Sequence, residues 1–299
     1  MSSTDGALNL IDLVKRFPTA DAARSYLESM LWPSGPVCAH CGVVNNAAKL
    51  VGAKCRPGLY QCRDCRHQFT VTVGTIFEDS KIGLDKWVIA ISLLCASKKS
   101  LSAMQMGRML SVSYKSAWHM NHRIRHALQN GNFAKLDGVV EIDETYVGGR
   151  AKNAHKGAPI PVKTPVVSLI SRTDNRMKAV TVTDVNHKTI GAALKKYVAK
   201  SAEIFTDGGT HFPEAVKGFG GHETVNHDAK EYVRGVVHVQ NCESFNALVK
   251  RSVMGAWHSV SSKHLDKYVG EVAFRWDFRK TTDTERTAHL SARARRSGC

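Results

Sequence analysis

Apolar residues recur at helical spacing through the first part of the chain. Residues 8–31 carry them in two pieces broken by Phe17-Pro18. Thr19 can cap the second piece, where Ala22, Ala23, Tyr26, Leu27, Met30 and Leu31 fall on a helical period. Trp32-Pro33-Ser34-Gly35-Pro36 ends it. Helices are predicted again over 84–96 and 101–128, the latter interrupted near Leu110-Ser111. Between them lies a stretch with only short β-like pieces, such as Phe69–Val73. From Val139 the period changes. Strands are predicted at Val139–Val147, Val166–Ile170, Ala179–Thr183 and Ile204–Phe205, with a helix over Thr189–Ala199 before the last. Helices at 242–254 and 263–275 follow. Gly148–Pro165 reads as a loop, and Thr281–Cys299 as a polar, basic, frayed end. Strands first, then a helix and another strand, indicate a mixed α/β domain.

With 299 residues, two or three structural units are expected. The formal charge is +16, and it is not a tail effect. Before Lys135 there are 16 basic and 8 acidic residues, and from there on 26 and 18. Excess of this kind points to a polyanionic partner, nucleic acid being the commonest. No apolar run approaches the roughly 20 residues a membrane span needs. Met1–Asn9 lacks the basic start and apolar stretch of a signal peptide, so a cytoplasmic location is expected and a disulfide framework is not.

The eight cysteines have another use. Cys38-x-x-Cys41 and Cys62-x-x-Cys65 are two pairs that can supply a tetrahedral four-sulfur zinc site. Such a closed site leaves no position for substrate, so its role is structural. Cys55, His40 and His67 are weaker ligand candidates, and Cys95 belongs to an apolar helix. Downstream, Leu101–Leu110, the turn Ser111-Val112-Ser113 and Tyr114–His126 have the form of a helix-turn-helix. Its second helix offers Lys115, Ser116, His119, Asn121 and Arg123 as DNA contacts, although ordinary helical hairpins look similar.

Acidic residues sit where an α/β domain binds ligands. In the strand Val139–Val147, Glu141 and Asp143 share one face and Glu144 takes the other. A carboxylate in an apolar strand is costly unless paired or metal-bound. Asp207 ends the strand Ile204-Phe205-Thr206 ahead of two glycines, at the carboxyl end where ligands tend to bind. Glu243 and Lys250 are seven residues apart on a predicted helix, hence on one face, while Cys242, Phe245, Leu248 and Val249 occupy the opposite side. Hard carboxylates select Mg²⁺ or Mn²⁺, and two such ions serve phosphoryl transfer. Lys250 would contact a DNA phosphate.

The ordered pieces resemble one family, the bacterial zinc-ribbon insertion-sequence transposases with a DDE catalytic domain (the ISXO2-like group). The matching pieces are 17–19, 32–38, 60–66, 74–80, 112–118, Glu141–Gly149, Lys250-Arg251 and 263–265. Val239-Gln240-Asn241 departs from the family's usual Thr-Asn-Thr, and Asn246 stands where an aromatic is common. The resemblance implies an α/β, RNase H-like catalytic domain with Asp143 and Asp207 as metal-binding aspartates, Glu243 as the third acid and Lys250 as the base that follows. It divides the chain into a helical segment (1–32), a zinc ribbon (33–75), a helix-turn-helix-like segment (80–134), the DDE domain (135–282) and a basic flexible tail (283–299). It implies metal-dependent cleavage at the element's ends and 3′-OH strand transfer into target DNA, by a homo-oligomer in a synaptic complex, with Gly148–Lys163 as a basic loop near the site. Rivals are a nuclease that cuts without joining, a zinc-ribbon regulator that needs no acids, and a derived protein that still binds DNA but no longer moves it.

Overall fold

A computed structural model describes residues 9–129, 134–149 and 162–295. The chain divides into two compact units, one of Met1–Gly131 with Lys280–Cys299, the other of Asn132–Arg279. The loop expected over Gly148–Lys163 falls mostly outside the described residues.

In the first unit, α1 (Leu10–Arg16) and α2 (Ala20–Leu31) flank Phe17-Pro18. The Thr19 hydroxyl accepts the Ala22 amide at 3.2 Å, so the predicted cap forms. Ala23, Leu27 and Leu31 are the buried stripe of α2. A small antiparallel sheet follows, of β1 (Ala47–Lys49), β2 (Tyr60–Cys62) and β3 (Gln68–Phe69). The strand expected over Phe69–Val73 stops at Phe69, because Val73 N–H turns back to Thr70 O and Thr75 N–H to Thr72 O. Helix α3 (Leu84–Ala96) buries Trp87, Val88, Ile91, Leu94 and Cys95. α4 (Ala103–Leu110) ends at Ser111, which takes a left-handed conformation (φ +50°). Ser113 then receives the Ser116 amide at 3.1 Å and starts α5 (Tyr114–Gln129). The predicted two helices and three-residue turn are therefore present.

The second unit is built on a five-stranded sheet. Its strands are β4 (Val139–Val147), β5 (Thr164–Ser171), β6 (Met177–Thr181), β7 (Glu203–Thr206) and β8 (Gly221–Thr224), ordered β6-β5-β4-β7-β8. β4, β5 and β6 pair antiparallel, while β7 joins β4 and β8 joins β7 in parallel. This mixed sheet is the RNase H-like arrangement. α6 (His187–Tyr197) starts where the Asn186 side chain accepts the amides of Lys188 and Thr189, both at 2.9 Å. With α7 (Phe212–Ala215), it covers one face of the sheet, over Val140, Ile142, Val167, Leu169 and Ile204. α8 (Gln240–Ser252) and α9 (Ser262–Asp277) cover the other, over Val147, Val166, Ile170 and Met177. A π-helical turn, Val253–Trp257, ends α8. Alternation along β4 thus turns Val140 and Ile142 to one layer and Glu141 and Asp143 to the other.

The end of the chain corrects one expectation. Instead of a flexible tail from residue 283, a helix, α10 (Asp283–Ala292), forms and belongs to the first unit, packed on α2 and α3. Thr282 and Glu285 make a reciprocal capping box, and Leu290 and Ser291 are fully buried. One large apolar residue in a polar stretch carries little periodic signal, but a good cap and a waiting groove suffice.

Candidate active site and zinc ribbon

The two Cys-x-x-Cys turns meet in the ribbon. Cys38 N–H bonds Val43 O at 2.9 Å and Cys62 N–H bonds His67 O at 3.0 Å, and Gly42 (φ +77°) and Arg66 (φ +61°) close the turns. The four sulfurs lie within 4.8 Å of one another, with Cys38–Cys65 and Cys41–Cys62 each at 3.6 Å. A tetrahedron of sulfurs about 2.3 Å from zinc has edges of about 3.8 Å, whereas a disulfide would need about 2.05 Å. Amide donors, Cys65 N–H foremost, pull the Cys62 thiol down to about 7. Cys41 is pushed up to about 12: the Val43 amide lowers it, but burial and its three sulfur neighbours outweigh that. Four packed thiolates need a cation, and the donor set suits structural zinc. Cys55 and the pair His40–His67, whose rings lie 4.8 Å apart and tilted by 31°, stand outside the sulfur cluster.

In the second unit, parallel pairing of β4 with β7 aligns Glu141 with Phe205. Two residues further come Asp143, within β4, and Asp207, just past the end of β7. Asp143 accepts the Glu144 amide and the Asn246 side-chain amide, both at 2.8 Å. Burial, then the charges of Asp207 and Glu144, push its carboxyl up to about 7. Burial and Asp207 do the same to Glu144, also to about 7. Glu144 points to the other side of β4, as alternation requires, where its Oε2 lies 3.5 Å from His211 Nε2. Among the described residues no lysine or arginine pairs with Asp143, Glu144 or Asp207. Asp143 and Asp207 are hard oxygen donors of the kind a divalent cation takes.

Glu141 has a different part. It is fully buried, with Arg172 Nε at 2.5 Å, the Asn241 amide at 2.9 Å and the Asn241 side chain at 2.7 Å. The Cys242 amide approaches at 3.4 Å. The N-terminus of α8 therefore has its capping carboxylate, delivered from β4 a hundred residues earlier. Arg172 also donates to Val236 O at 2.6 Å and His238 O at 2.8 Å, pinning the segment that leads into the helix. This clamp sets where α8 presents Asn246 to Asp143.

Cys242, Phe245 and Val249 are buried beneath α8, and Glu243 and Lys250 are exposed on it. Leu248 packs only partly. Glu243 sits one turn before Asn246, with His227 Nδ1 at 3.9 Å, and is not drawn into the Asp143–Asp207 pair. Among the described residues, the cysteine cluster alone brings three or more such side chains to ligating distance of one another.

Of the five expected DNA contacts on α5, Lys115 and His119 are exposed and Ser116 is half-buried beside Ser113. Two expectations are corrected. Asn121 is buried and donates to Leu101 O, and Arg123 is spent on the carbonyls of Ile76 and Glu78 at 3.0 and 2.7 Å. Both hold the unit together. Arg172, Asn241, Asn246, Glu144 and His211 escaped the sequence reading as site residues, although Asn241 and Asn246 were visible as departures from the family pattern.

A four-sulfur ribbon and an RNase H-like sheet carrying paired aspartates define the class: a zinc-ribbon protein with a DDE-type domain. The ISXO2-like transposase domain matches residues 135–277, and the transposase zinc-ribbon domain matches residues 18–68. The chain belongs to this family of insertion-sequence transposases. An uncharacterized protein in transposable element ISH50 of Halobacterium salinarum is 28% identical over 286 residues, covering 89% of this chain and 94% of that protein. A solved chain of the simian T-cell lymphotropic virus intasome, in complex with PP2A regulatory subunit B56 gamma, is 12% identical with a TM-score of 0.31. That match covers 62% of this chain and 64% of the solved one, just under two thirds, and the likeness is too low to bear on function. No helix of the described residues is long and apolar enough to cross a membrane.

Proposed function

We propose that this transposase binds the ends of its own insertion sequence, cleaves there in a metal-dependent step and joins the resulting 3′-OH to target DNA. The observation that carries the reading is the placement of Asp143 on β4 and Asp207 at the end of the adjoining β7, half-buried and close enough for Asp207 to push the Asp143 carboxyl upward. Asp143, Asp207 and Glu243 are the residues that would hold Mg²⁺ or Mn²⁺. Two such ions, when bound, supply activation of the attacking oxygen and stabilisation of the leaving one. Asn246 fixes the orientation of the Asp143 carboxylate, and Glu141 and Arg172 fix α8. Glu243 is half exposed and changes rotamer at little cost, so it can complete the acidic set when substrate arrives. Lys250, about 10 Å further along α8 at 1.5 Å per residue, receives a backbone phosphate. In the first unit, zinc holds the ribbon, and Lys115, Ser116 and His119 on α5 are the contacts to duplex DNA. Pairing two element ends calls for a homo-oligomer.

The test is a strand-transfer assay with purified protein, Mg²⁺ and DNA carrying the repeat that flanks its gene, with Asp143→Ala alongside. Joined products from the wild type alone support the reading. Cleavage without joining replaces it with a nuclease, and binding without chemistry in either protein replaces it with a regulator or a decayed element.

A further inference from the structure

The segment between β8 and α8 presents apolar side chains to solvent while its two ends are held fast. Val225 and Val237 are buried with Phe205 and Val239 in a small cluster of their own. Arg234 and Val237 exchange backbone hydrogen bonds around Gly235 (φ +60°), and Arg172 holds Val236 O. Asn226 closes the other half, accepting the Glu231 amide at 2.9 Å on its backbone and the Ala229 amide at 3.1 Å on its side chain. On this fastened frame Tyr232 is 55% exposed, Val233 47% and Val236 73%. Tyr232 lies against the His227 ring, centroids 5.1 Å apart and planes at 39°. His227 in turn stands 3.9 Å from Glu243.

We propose that Tyr232, backed by His227, is a stacking platform for an unpaired nucleobase beside Glu243. An exposed aromatic ring on a pre-ordered loop loses little entropy on binding, and every base has a π-face to offer it. Lys230, two residues before the ring, supplies cationic charge for the strand that carries the base, while Arg234 is held by Glu223 and Thr224 O at 2.8 and 2.9 Å. An unpaired base near the strand being cut or joined would offer its face to this ring.

This inference rests on the proposed DNA chemistry, and its test separates the two. Two duplexes of the element's end are compared by fluorescence anisotropy without added divalent metal: one fully paired, one with unpaired nucleotides, including 2-aminopurine, on the strand to be cut. Wild-type protein is expected to bind the unpaired form about 5- to 100-fold more tightly and to quench its 2-aminopurine. Tyr232→Ala should bring that form down to the affinity of the paired duplex, and Tyr232→Phe should keep the preference and the quenching. Equal binding of both duplexes by the wild type, or a preference that survives Tyr232→Ala, overturns the platform while leaving the DNA reading in place. Failure to bind either duplex overturns both.

Discussion

Replacing Asp143 by Asn should make the protein more stable while removing its chemistry. The Asp143 carboxyl is displaced upward from 3.8 to about 7, by burial first and then by Asp207 and Glu144. A shift of about three units corresponds to about 4 kcal/mol at ~1.36 kcal/mol per unit. Relaxation around the charge and sharing of the repulsion with Glu144 reduce this to about 1–3 kcal/mol. Asparagine loses the charge without losing the hydrogen bonds. Its oxygen can keep the Glu144 amide, and its NH₂ can donate to Asn246 Oδ1, a buried atom without a partner in the wild type, once the Asn246 amide turns over. For a domain of this size the gain is about 3–10 °C in melting temperature. The pH dependence follows from the sign of the shift. Between about pH 4 and 7 the folded wild type keeps a proton that the unfolded chain has released, so its stability falls as pH rises through that window. Above pH 7 the penalty is constant. The advantage of Asp143→Asn should therefore be small at pH 4.5 and full at pH 8, and Mg²⁺ should raise the melting temperature of the wild type more than that of the variant. Differential scanning fluorimetry at both pH values measures this. A variant no more stable than wild type at pH 8, or one equally advantaged at pH 4.5, would refute the reasoning.

Other outcomes follow from the same contacts. Chelation of zinc, or Cys62→Ser, should unfold the ribbon, since structural zinc contributes about 10–16 kcal/mol of apparent binding free energy in small domains. Loss of β-structure by circular dichroism together with stoichiometric zinc release would show it. Glu141→Ala leaves Arg172 without its carboxylate and α8 without its cap, and should cost about 3–5 kcal/mol in urea unfolding. Thr282→Ala breaks the capping box of α10 and should cost about 1 kcal/mol by the same measurement. Lys250→Ala should reduce strand cleavage and make DNA binding less steeply dependent on salt, by about one unit of the log–log slope. An unchanged slope would remove Lys250 from the phosphate contacts.

Much of the fold is legible in the chain because its elements announce themselves locally. The alternation of β4 and the apolar run of α3 are read at their observed limits, and the paired Cys-x-x-Cys spacing describes the ribbon from sequence alone. The i,i+7 placement of Glu243 and Lys250 over a Cys242–Phe245–Val249 floor is also a local property. What escapes is what depends on distant partners. β8 (Gly-His-Glu-Thr) has no apolar residue and is a strand only because β7 offers its edge. Asn121 and Arg123 look like contacts for DNA because a helix-turn-helix would use them so. Burial and the carbonyls of the 76–78 turn claim them instead. Glu141 was recognisable as a carboxylate in need of a partner, but neither Arg172 nor the α8 amides could be paired with it from spacing.

The cap that β4 supplies to α8 also orders events in time. Glu141 leaves the ribosome roughly a hundred residues ahead of the Asn241 and Cys242 amides that receive it. At translation rates of about 5–20 residues per second, that is an interval of about 5–20 s. Until it ends, the strand bearing Asp143 has a carboxylate it cannot bury and a neighbouring helix it does not yet have. The first unit is not finished any sooner, because α10 (Asp283–Ala292), which packs on α2 and α3, is made last of all. Both units therefore close only near the end of synthesis, the second when α8 reaches Glu141 and the first when α10 reaches α2 and α3.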